Sequence, residues 1–162
     1  MPARILIVDD DPDLVELLRL ALTEAGYSAR TAATGTAALA EAQRFLPELV
    51  VLDLLLPDRN GFSVCENLRR NPATASVPII MMTVLSGEFP RLVGAEAGAN
   101  AYINKPFQTR ELVSCVGDLL RGSSTKSDLA NDPGRLAADP WRLVQDPPQP
   151  RLRVAMGKSS AR

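Results

Sequence analysis

The sequence predicts an α/β fold in which five β-strands alternate with five α-helices around a parallel sheet of order 2-1-3-4-5. Short apolar runs recur along the chain, and stretches with a helical period of apolar residues separate them. Apolar strands that alternate with helices are typical of a parallel sheet covered on both faces, with right-handed crossovers. The two patterns together therefore predict a doubly wound domain.

Four strands are predicted from runs of apolar residues that no charged residue interrupts, and a fifth from a weaker, mixed stretch. Four runs are clear and one is weaker. The clear runs are residues 5–8, 49–52, 79–82 and 101–103, and the weaker candidate is residues 28–32. Uninterrupted runs of this kind predict strands that are buried on both faces.

The first three helices are predicted from residues that begin and end helices. Asp11 is a candidate N-cap with Pro12 at the first helical position, and Gly26 ends this helix. Thr34 opens the second helix. The third covers residues 61–70, where basic residues complement the C-terminal dipole before Asn-Pro stops the helix.

The last two predicted helices differ in strength. Residues 88–97 are predicted to form a short fourth helix that contains Pro90 and Gly94. These two residues lower the stability of the helix by roughly 1 kcal/mol or more unless Pro90 lies in the first turn. We therefore expect fast amide exchange between residues 85 and 98. The fifth helix, residues 108–121, has an aligned apolar face formed by Leu112, Val113, Val116, Leu119 and Leu120.

The character of the chain changes after Arg121. Residues 122–125 read Gly-Ser-Ser-Thr, and scattered prolines and charges follow. We predict a folded domain at residues 1–121 and a Pro/Ser-rich linker with a disordered tail at residues 122–162. The tail is too short and too rich in proline for a winged-helix DNA-binding domain. Only residues 141–144 and 152–156 are apolar enough to dock.

Composition excludes several classes of function. The net charge of −1 argues against nucleic-acid binding by bulk electrostatics. The absence of histidine removes Ser-His-Asp catalysis and His-ligated zinc. Cys65 and Cys115 form no metal or redox motif and are expected to be reduced and buried. No run suits a signal peptide or a membrane span, so a cytoplasmic protein is expected.

Five reactive residues stand at the ends of predicted strands. Asp9 and Asp10 follow the first strand, Asp53 the third, Thr83 the fourth and Lys105 the fifth. Each alone has an ordinary interpretation, such as a helix N-terminal acid or a solvated lysine. Ligands of doubly wound folds bind beyond the carboxyl ends of the strands, where all five residues would converge. Their joint occurrence therefore predicts one site.

The charges of this site predict the kind of ligand it takes. Three carboxylates and one amine leave an excess of negative charge, which would raise a carboxylate pKa unless a dication held all three ionised. An all-oxygen set suits Mg²⁺, which keeps several waters and accepts carboxylate and phosphate oxygens. We therefore expect a metal and a phosphoryl group to bind together.

The chain resembles the response-regulator receiver family of two-component signal transduction, and the chemotaxis-regulator type in particular. The resemblance rests on four motifs: Val8-Asp9-Asp10, residues 52–57 (Leu-Asp-Leu-Leu-Leu-Pro) followed by Gly61, Thr83, and residues 102–107 (Tyr-Ile-Asn-Lys-Pro-Phe). It covers residues 3–121 without a large insertion. It implies a flavodoxin-like (βα)5 fold.

The resemblance also implies catalytic roles. Asp53 would be the phosphoacceptor nucleophile, and Lys105 would pair with the phosphoryl oxygens. The Thr83 hydroxyl would hydrogen-bond the phosphoryl group and move toward it. Tyr102 would turn inward as Thr83 moves, so that these two residues form the switch.

A magnesium ion is the cofactor that the resemblance implies. Asp10, Asp53 and the backbone carbonyl of Leu55 would be its direct ligands, and Asp9 would act largely through a bound water. The Lys105–Pro106 bond resembles the family's cis peptide.

Partners follow from the same resemblance. The phosphoryl donor would be a sensor histidine kinase or a phosphotransfer protein, because this chain has no histidine. A surface of roughly residues 86–121 would signal to a downstream protein target, with no direct contact to nucleic acid or membrane. A homodimer stays open. The chain would catalyse only its own phosphorylation and dephosphorylation.

One residue departs from the family pattern. Val84 follows Thr83 at a position where the family usually has a small residue such as alanine. A β-branched side chain there should narrow access to the phosphoryl group. We therefore expect slower attack by water or by a phosphatase on phosphorylated Asp53.

Other functions fit the sequence less well. A phosphatase with a nucleophilic aspartate requires a second acid two residues after Asp53, where Leu55 stands. A P-loop ending at Lys158-Ser159 requires a glycine at position 152, which is leucine. A pseudo-receiver that binds partners without being phosphorylated is the remaining alternative.

Overall fold

A computed structural model describes residues 1–85 and 87–124 of the chain. Strands and helices alternate as the sequence predicts. Their bounds are β1 Arg4–Val8, α1 Pro12–Glu24, β2 Ser28–Ala32, α2 Gly35–Phe45, β3 Leu49–Asp53, α3 Gly61–Arg70, β4 Ile79–Thr83, α4 Glu88–Ala97, β5 Ala101–Asn104 and α5 Thr109–Ser124. All strand pairs are parallel and the sheet order is β2-β1-β3-β4-β5, which confirms the predicted flavodoxin-like fold class.

Two hydrophobic clusters cover the two faces of the sheet. Helices α2, α3 and α4 pack on one face, where the strands contribute side chains such as Leu52 and Met81. Helices α1 and α5 pack on the other face against side chains such as Val51 and Met82. Adjacent strand residues point to opposite faces. Strands β3 and β4 are therefore buried along their whole length and hold the site residues at their ends rigidly.

The helix starts are fixed by side-chain caps. The Asp11 carboxylate accepts hydrogen bonds from the backbone N–H groups of Asp13 and Leu14, as the sequence predicts for α1. The Thr34 hydroxyl caps α2 by accepting from Ala37 N–H. Asn60 caps α3 by accepting from Ser63 N–H, a role that the sequence analysis did not assign.

Several boundaries differ from the sequence prediction. Asp53 and Thr83 are the last residues of their strands rather than the first residues after them. Helix α5 continues to Ser124, so residues 122–124 are helical although they were predicted to begin the linker. The remainder of that predicted linker and tail, residues 125–162, lies outside the described residues.

Two further sequence expectations bear on the described part of the chain. Cys65 and Cys115 are both free and buried, as predicted. Across residues 1–85 and 87–124, none of the helices combines the length and the apolar character that crossing a membrane requires.

Candidate functional site

The five predicted site residues lie at the carboxyl edge of the sheet. Asp9 directly follows β1, Asp53 ends β3, Thr83 ends β4 and Lys105 follows β5. Asp10 adjoins Asp9 at the start of the loop to α1. These strands are neighbours at the point where the strand order reverses, so the sheet itself brings the residues together.

Three carboxylates form the acidic part of the site. One oxygen from each of Asp9, Asp10 and Asp53 lies within 4.8 Å of the other two. Asp9 and Asp53 are almost fully buried, with 2% and 5% of their surface exposed, whereas Asp10 is exposed. Oxygen donors at a rim that water can reach fit a hard dication such as Mg²⁺, which keeps part of its hydration shell.

Lys105 supplies the positive charge next to these carboxylates. Its Nζ lies 2.6 Å from Asp9 Oδ2 and 3.2 Å from Asp53 Oδ2, and the side chain is only 17% exposed. Burial opposes the charged form, but the hydrogen bond to Asp9 and the charge of Asp53 outweigh it and raise the pKa of Lys105. The amine is therefore charged at neutral pH.

The surroundings of Asp53 favour its uncharged form. Burial raises the pKa of Asp53 above its usual value, and the charge of Asp9 raises it further. The backbone N–H of Leu55, which donates to Asp53 Oδ1 at 3.2 Å, and the amine of Lys105 offset this only in part. A bound cation would therefore favour the ionised form.

Thr83 and Tyr102 meet at the backbone of Leu85. The fully buried Thr83 accepts a hydrogen bond on Oγ1 from Leu85 N–H at 3.2 Å. The Tyr102 hydroxyl donates to the Leu85 carbonyl at 3.2 Å, and only 3% of the residue is exposed. Burial raises the pKa of Tyr102. The inward-facing ring is thus connected to Thr83 through one backbone unit.

The backbone around Asp53 leaves no room for a side chain at position 61. Gly61 N–H donates to the Leu54 carbonyl at 2.7 Å. A Cβ at Gly61 would lie 2.5 Å from the Asp53 carbonyl oxygen. Glycine is therefore required for α3 to begin this close to β3. On the opposite side of the site, the Lys105–Pro106 peptide bond is cis, as the resemblance implied.

Apolar side chains stand at the mouth of the site. Leu55 is 51% exposed, Val84 62% and Leu85 40%, although each lies within two residues of Asp53 or Thr83. The sequence analysis singled out Val84 but gave no role to the side chains of Leu55 and Leu85. The sequence could have indicated these side chains, because positions one or two residues after a strand-end site residue lie at the same edge of the sheet.

The sequence analysis also missed Asp58. Its carboxylate accepts hydrogen bonds from the first turn of α2, whereas Asp58 itself lies in the loop after β3. The partners are 22 and 23 residues away in the chain, so no local pattern indicates the contact.

Comparison with known proteins decides the family. Residues 5–117 match the model of the "Response regulator receiver domain". The chain belongs to the response-regulator receiver family.

Two curated proteins are similar to this chain in sequence. The chain is 42% identical over 118 residues to the "DNA-binding dual master transcriptional regulator RpaA" of Synechocystis, covering 73% of this chain and 49% of RpaA. It is 39% identical over 134 residues to the "Sensory transduction protein RegX3" of Mycolicibacterium smegmatis, covering 83% of this chain and 58% of RegX3. The chain thus spans about half the length of these curated relatives.

Solved structures agree with this assignment. A response regulator from Chloroflexus aurantiacus superposes with a TM-score of 0.71 at 41% identity, over 75% of this chain and 99% of that one. The chemotaxis response regulator CheY4 of Vibrio cholerae gives a TM-score of 0.71 at 28% identity, over 74% and 99%. Receiver domains are signalling domains of two-component systems, and that is the class of this protein.

Proposed function

We propose that this receiver domain accepts a phosphoryl group on Asp53 and signals through the surface formed by residues 86–121. One observation carries the proposal. In a chain of this family, the nearly buried Asp53 lies beside two further carboxylates and within 3.2 Å of the Lys105 amine. This arrangement has the nucleophile, the metal ligands and the cation that phosphoryl transfer needs.

The transfer is written as an in-line displacement at phosphorus. A carboxylate oxygen of Asp53 forms the new O–P bond, and the N–P bond of a phosphohistidine on the donor breaks. The bonding electron pair stays on the imidazole nitrogen, which takes a proton from water. The donor is a sensor histidine kinase or a phosphotransfer protein, because this chain contains no histidine.

Residues of this chain stabilise the charge that develops on the phosphoryl oxygens. Lys105 is already within hydrogen-bonding distance of Asp53 and is therefore close enough to interact with them. Asp10, Asp53 and the Leu55 carbonyl would hold Mg²⁺ directly, and Asp9 would hold it through a water. A dication held by these residues would supply positive charge next to the carboxylates and the phosphoryl oxygens.

The signal starts at Thr83. The acyl phosphate adds negative charge and strong acceptors, which attract the Thr83 hydroxyl. That hydroxyl accepts from Leu85 N–H before phosphorylation, and the Leu85 carbonyl accepts from Tyr102. Movement of Thr83 therefore changes both contacts of Leu85 just before α4 begins.

Phosphate-affinity gels test the proposal. The full chain is incubated with acetyl phosphate and MgCl₂, and we expect one retarded band that disappears with EDTA. Asp53→Asn should give no retarded band, whereas Asp13→Asn, which changes an exposed acid of α1, should behave as the wild type. An unmodified wild type would favour the pseudo-receiver alternative, and a retarded Asp53→Asn band would assign the phosphoacceptor elsewhere.

The output is proposed to be a protein contact. RpaA is named as DNA-binding, but residues 5–117 of this chain match only the receiver domain. A pull-down that compares phosphorylated protein with Asp53→Asn protein should retain a target preferentially in one of the two states. Sedimentation of the same samples would show whether that partner is a second copy of the chain.

A further inference from the structure

The loop between β3 and α3, residues 54–60, is attached to the first turn of α2 by Asp58. Asp58 Oδ1 accepts a hydrogen bond from Gly35 N–H at 2.8 Å. Asp58 Oδ2 accepts from Thr36 N–H at 2.9 Å and from the Thr36 hydroxyl at 2.8 Å. The first N–H groups of a helix have no partner inside the helix, and an anion there interacts favourably with the helix dipole. Asp58 thus joins the loop to α2 with three charge-assisted hydrogen bonds.

The next residue strengthens this attachment. The Arg59 guanidinium donates to the Thr36 hydroxyl oxygen at 3.2 Å and lies 3.7 Å from the Asp58 carboxylate. The aliphatic part of Arg59 packs so closely on Gly35 that a Cβ there would be 2.5 Å from Arg59 Cγ. The tip of the loop therefore rests on α2 through two consecutive side chains.

The base of the same loop adjoins the phosphorylation site. Leu55 N–H donates to Asp53 Oδ1 at 3.2 Å, and Leu55 forms an antiparallel bridge with Asn60. Leu55 consequently lies between Asp53 and the tip that Asp58 holds. The hydrogen bonds from Thr36 and Gly35 also keep the pKa of Asp58 well below its usual range, so the attachment is charged throughout the neutral pH range.

We propose that Asp58 is a positioning residue, which holds the β3–α3 loop against α2 so that the Leu55 carbonyl stays in place to bind Mg²⁺ beside Asp53. The inference rests on the proposed function, because the magnesium site belongs to it. Without the carboxylate, the bridge still closes the base of the loop, but the tip keeps only the contacts of Arg59 with Thr36 and Gly35 and loses three charge-assisted hydrogen bonds. The fraction of molecules in which the loop is positioned to bind Mg²⁺ then falls, and the apparent affinity for Mg²⁺ falls with that fraction.

A purely structural role for Asp58 would be that of a cap for α2. Thr34 offers a matched control, because its hydroxyl caps the same helix by accepting from Ala37 N–H at 3.0 Å. Thr34 makes no hydrogen bond to the loop after β3 in the described structure. Loss of either cap should weaken α2, but only the loss of Asp58 should release the loop.

The experiment is a titration of the full chain with MgCl₂, without any phosphoryl donor, followed by the NMR shifts of the Asp53 and Leu55 amides. We expect Asp58→Ala to weaken Mg²⁺ binding about three- to tenfold, which is less than the roughly 10- to 100-fold loss for direct partners of metal ligands, because Asp58 acts through the loop. Thr34→Ala should bind Mg²⁺ as the wild type does. In metal-free protein, the Leu55 amide should exchange faster in Asp58→Ala than in Thr34→Ala.

A milder variant covers the case in which Asp58→Ala does not fold. Thr36→Val removes the hydroxyl that donates to Asp58 and accepts from Arg59, but it leaves both backbone N–H donors to the carboxylate. It should therefore weaken Mg²⁺ binding in the same direction by a smaller factor. Equal Mg²⁺ affinity in the wild type, Asp58→Ala and Thr36→Val would overturn the inference, as would an equal loss in Thr34→Ala. If the wild type itself shows no Mg²⁺-dependent shift, the proposed metal site fails and the inference fails with it.

Discussion

Helices α3 and α4 have the same length and pack on the same face of the sheet, but they are held very differently. Helix α3 begins at a side-chain cap and buries Val64, Cys65 and Leu68. Helix α4 has Gly87 at its N-cap, which provides no side-chain cap hydrogen bond, and its buried residues are Gly94 and Ala97. Burial of large side chains contributes most of the stability of a helix in a protein. Helix α4 is therefore the more weakly attached of the two.

The exposed face of α4 adds to the contrast. Phe89 is 77% exposed and Leu92 is 61% exposed, three residues apart on one side of the helix. At the other end of α4, the Arg69 side chain of α3 donates to the Gly98 carbonyl at 2.7 Å and 2.9 Å. The C-terminus of α4 is thus held by α3, while its N-terminus, which follows Thr83 and Leu85, is not capped. A signal from Asp53 reaches α4 at its less stable end.

The largest expected difference between the two helices is in how much the free energy of unfolding falls when a leucine of each is replaced by alanine. Leu68 of α3 is 3% exposed and Leu92 of α4 is 61% exposed. Leu68→Ala should lower the free energy of unfolding by about 2–5 kcal/mol, because it leaves a cavity. Leu92→Ala should change it by about 0.5 kcal/mol or less. Urea unfolding measures both, and equal losses would show that α4 is attached as firmly as α3.

The second difference concerns the connection that Arg69 makes between the helices. Besides Gly98, its guanidinium donates to the Val77 carbonyl at 2.7 Å and to Asn100 Oδ1 at 2.8 Å. Arg69→Met should lower the free energy of unfolding by about 2 kcal/mol, because several partly buried carbonyls lose a charged donor. The exposed neighbour Arg70 is the control, and Arg70→Met should be close to neutral. An unchanged free energy of unfolding in Arg69→Met would mean that α4 needs no support from α3.

The third difference is in local opening. Amides of α4 should exchange about tenfold faster than those of α3, which corresponds to a difference of about 1.4 kcal/mol in opening free energy. Native-state hydrogen exchange with residue resolution measures this ratio. Protection of α4 equal to that of α3 would contradict the weak attachment inferred from its cap and its small buried residues.

The fourth effect is kinetic and lies on the α4 side of the site. Val84 is 62% exposed at the mouth, between Thr83 and the start of α4. Val84→Ala should speed the hydrolysis of phosphorylated Asp53 about threefold, because water gains access. Loss of the phosphorylated band over time measures the rate. No change, or slower hydrolysis, would show that Val84 does not protect phosphorylated Asp53 from water.

The smallest effect concerns the charge of Asp53 in metal-free protein. Because the pKa of Asp53 is raised on folding, its ionisation costs stability as the pH rises from its unfolded value through its folded value. In EDTA at pH 7, Asp53→Asn should raise Tm by about 3 °C, and the gain should vanish below the unfolded pKa. A lower Tm for Asp53→Asn at pH 7 would show that Lys105 fully balances the site.

The sequence predicts most of the fold because the signals for it are local. Apolar runs mark four of the five strands, the weaker stretch of residues 28–32 was also predicted as a strand, and periodic stretches mark all five helices. The structure also explains why α4 forms despite Pro90, which is its third residue and lies in the first turn, where no intrahelical N–H bond is lost. Gly94 packs against the core, where a Cβ would be 3.3 Å from Met81 Sδ.

Contacts between distant parts of the chain are what the sequence does not predict. The convergence of Asp9, Asp53 and Lys105 follows from strand ends in a parallel sheet, so topology alone predicts it. The hydrogen bonds of Asp58 to α2 and of Arg69 to the C-terminus of α4 depend on how the loops pack. The helical state of residues 122–124 was also missed, because glycine and serine are typical of linkers.

Asp53 is proposed to receive the phosphoryl group, and mapping the modified residue tests this assignment. The full chain is phosphorylated with acetyl phosphate and MgCl₂ and reduced with borohydride, which converts an acyl phosphate to an alcohol. Peptide mass spectrometry then locates the change. We predict that only the peptide containing Asp53 is converted, and conversion at Asp9 or Asp10 instead, or at no residue, would contradict the account.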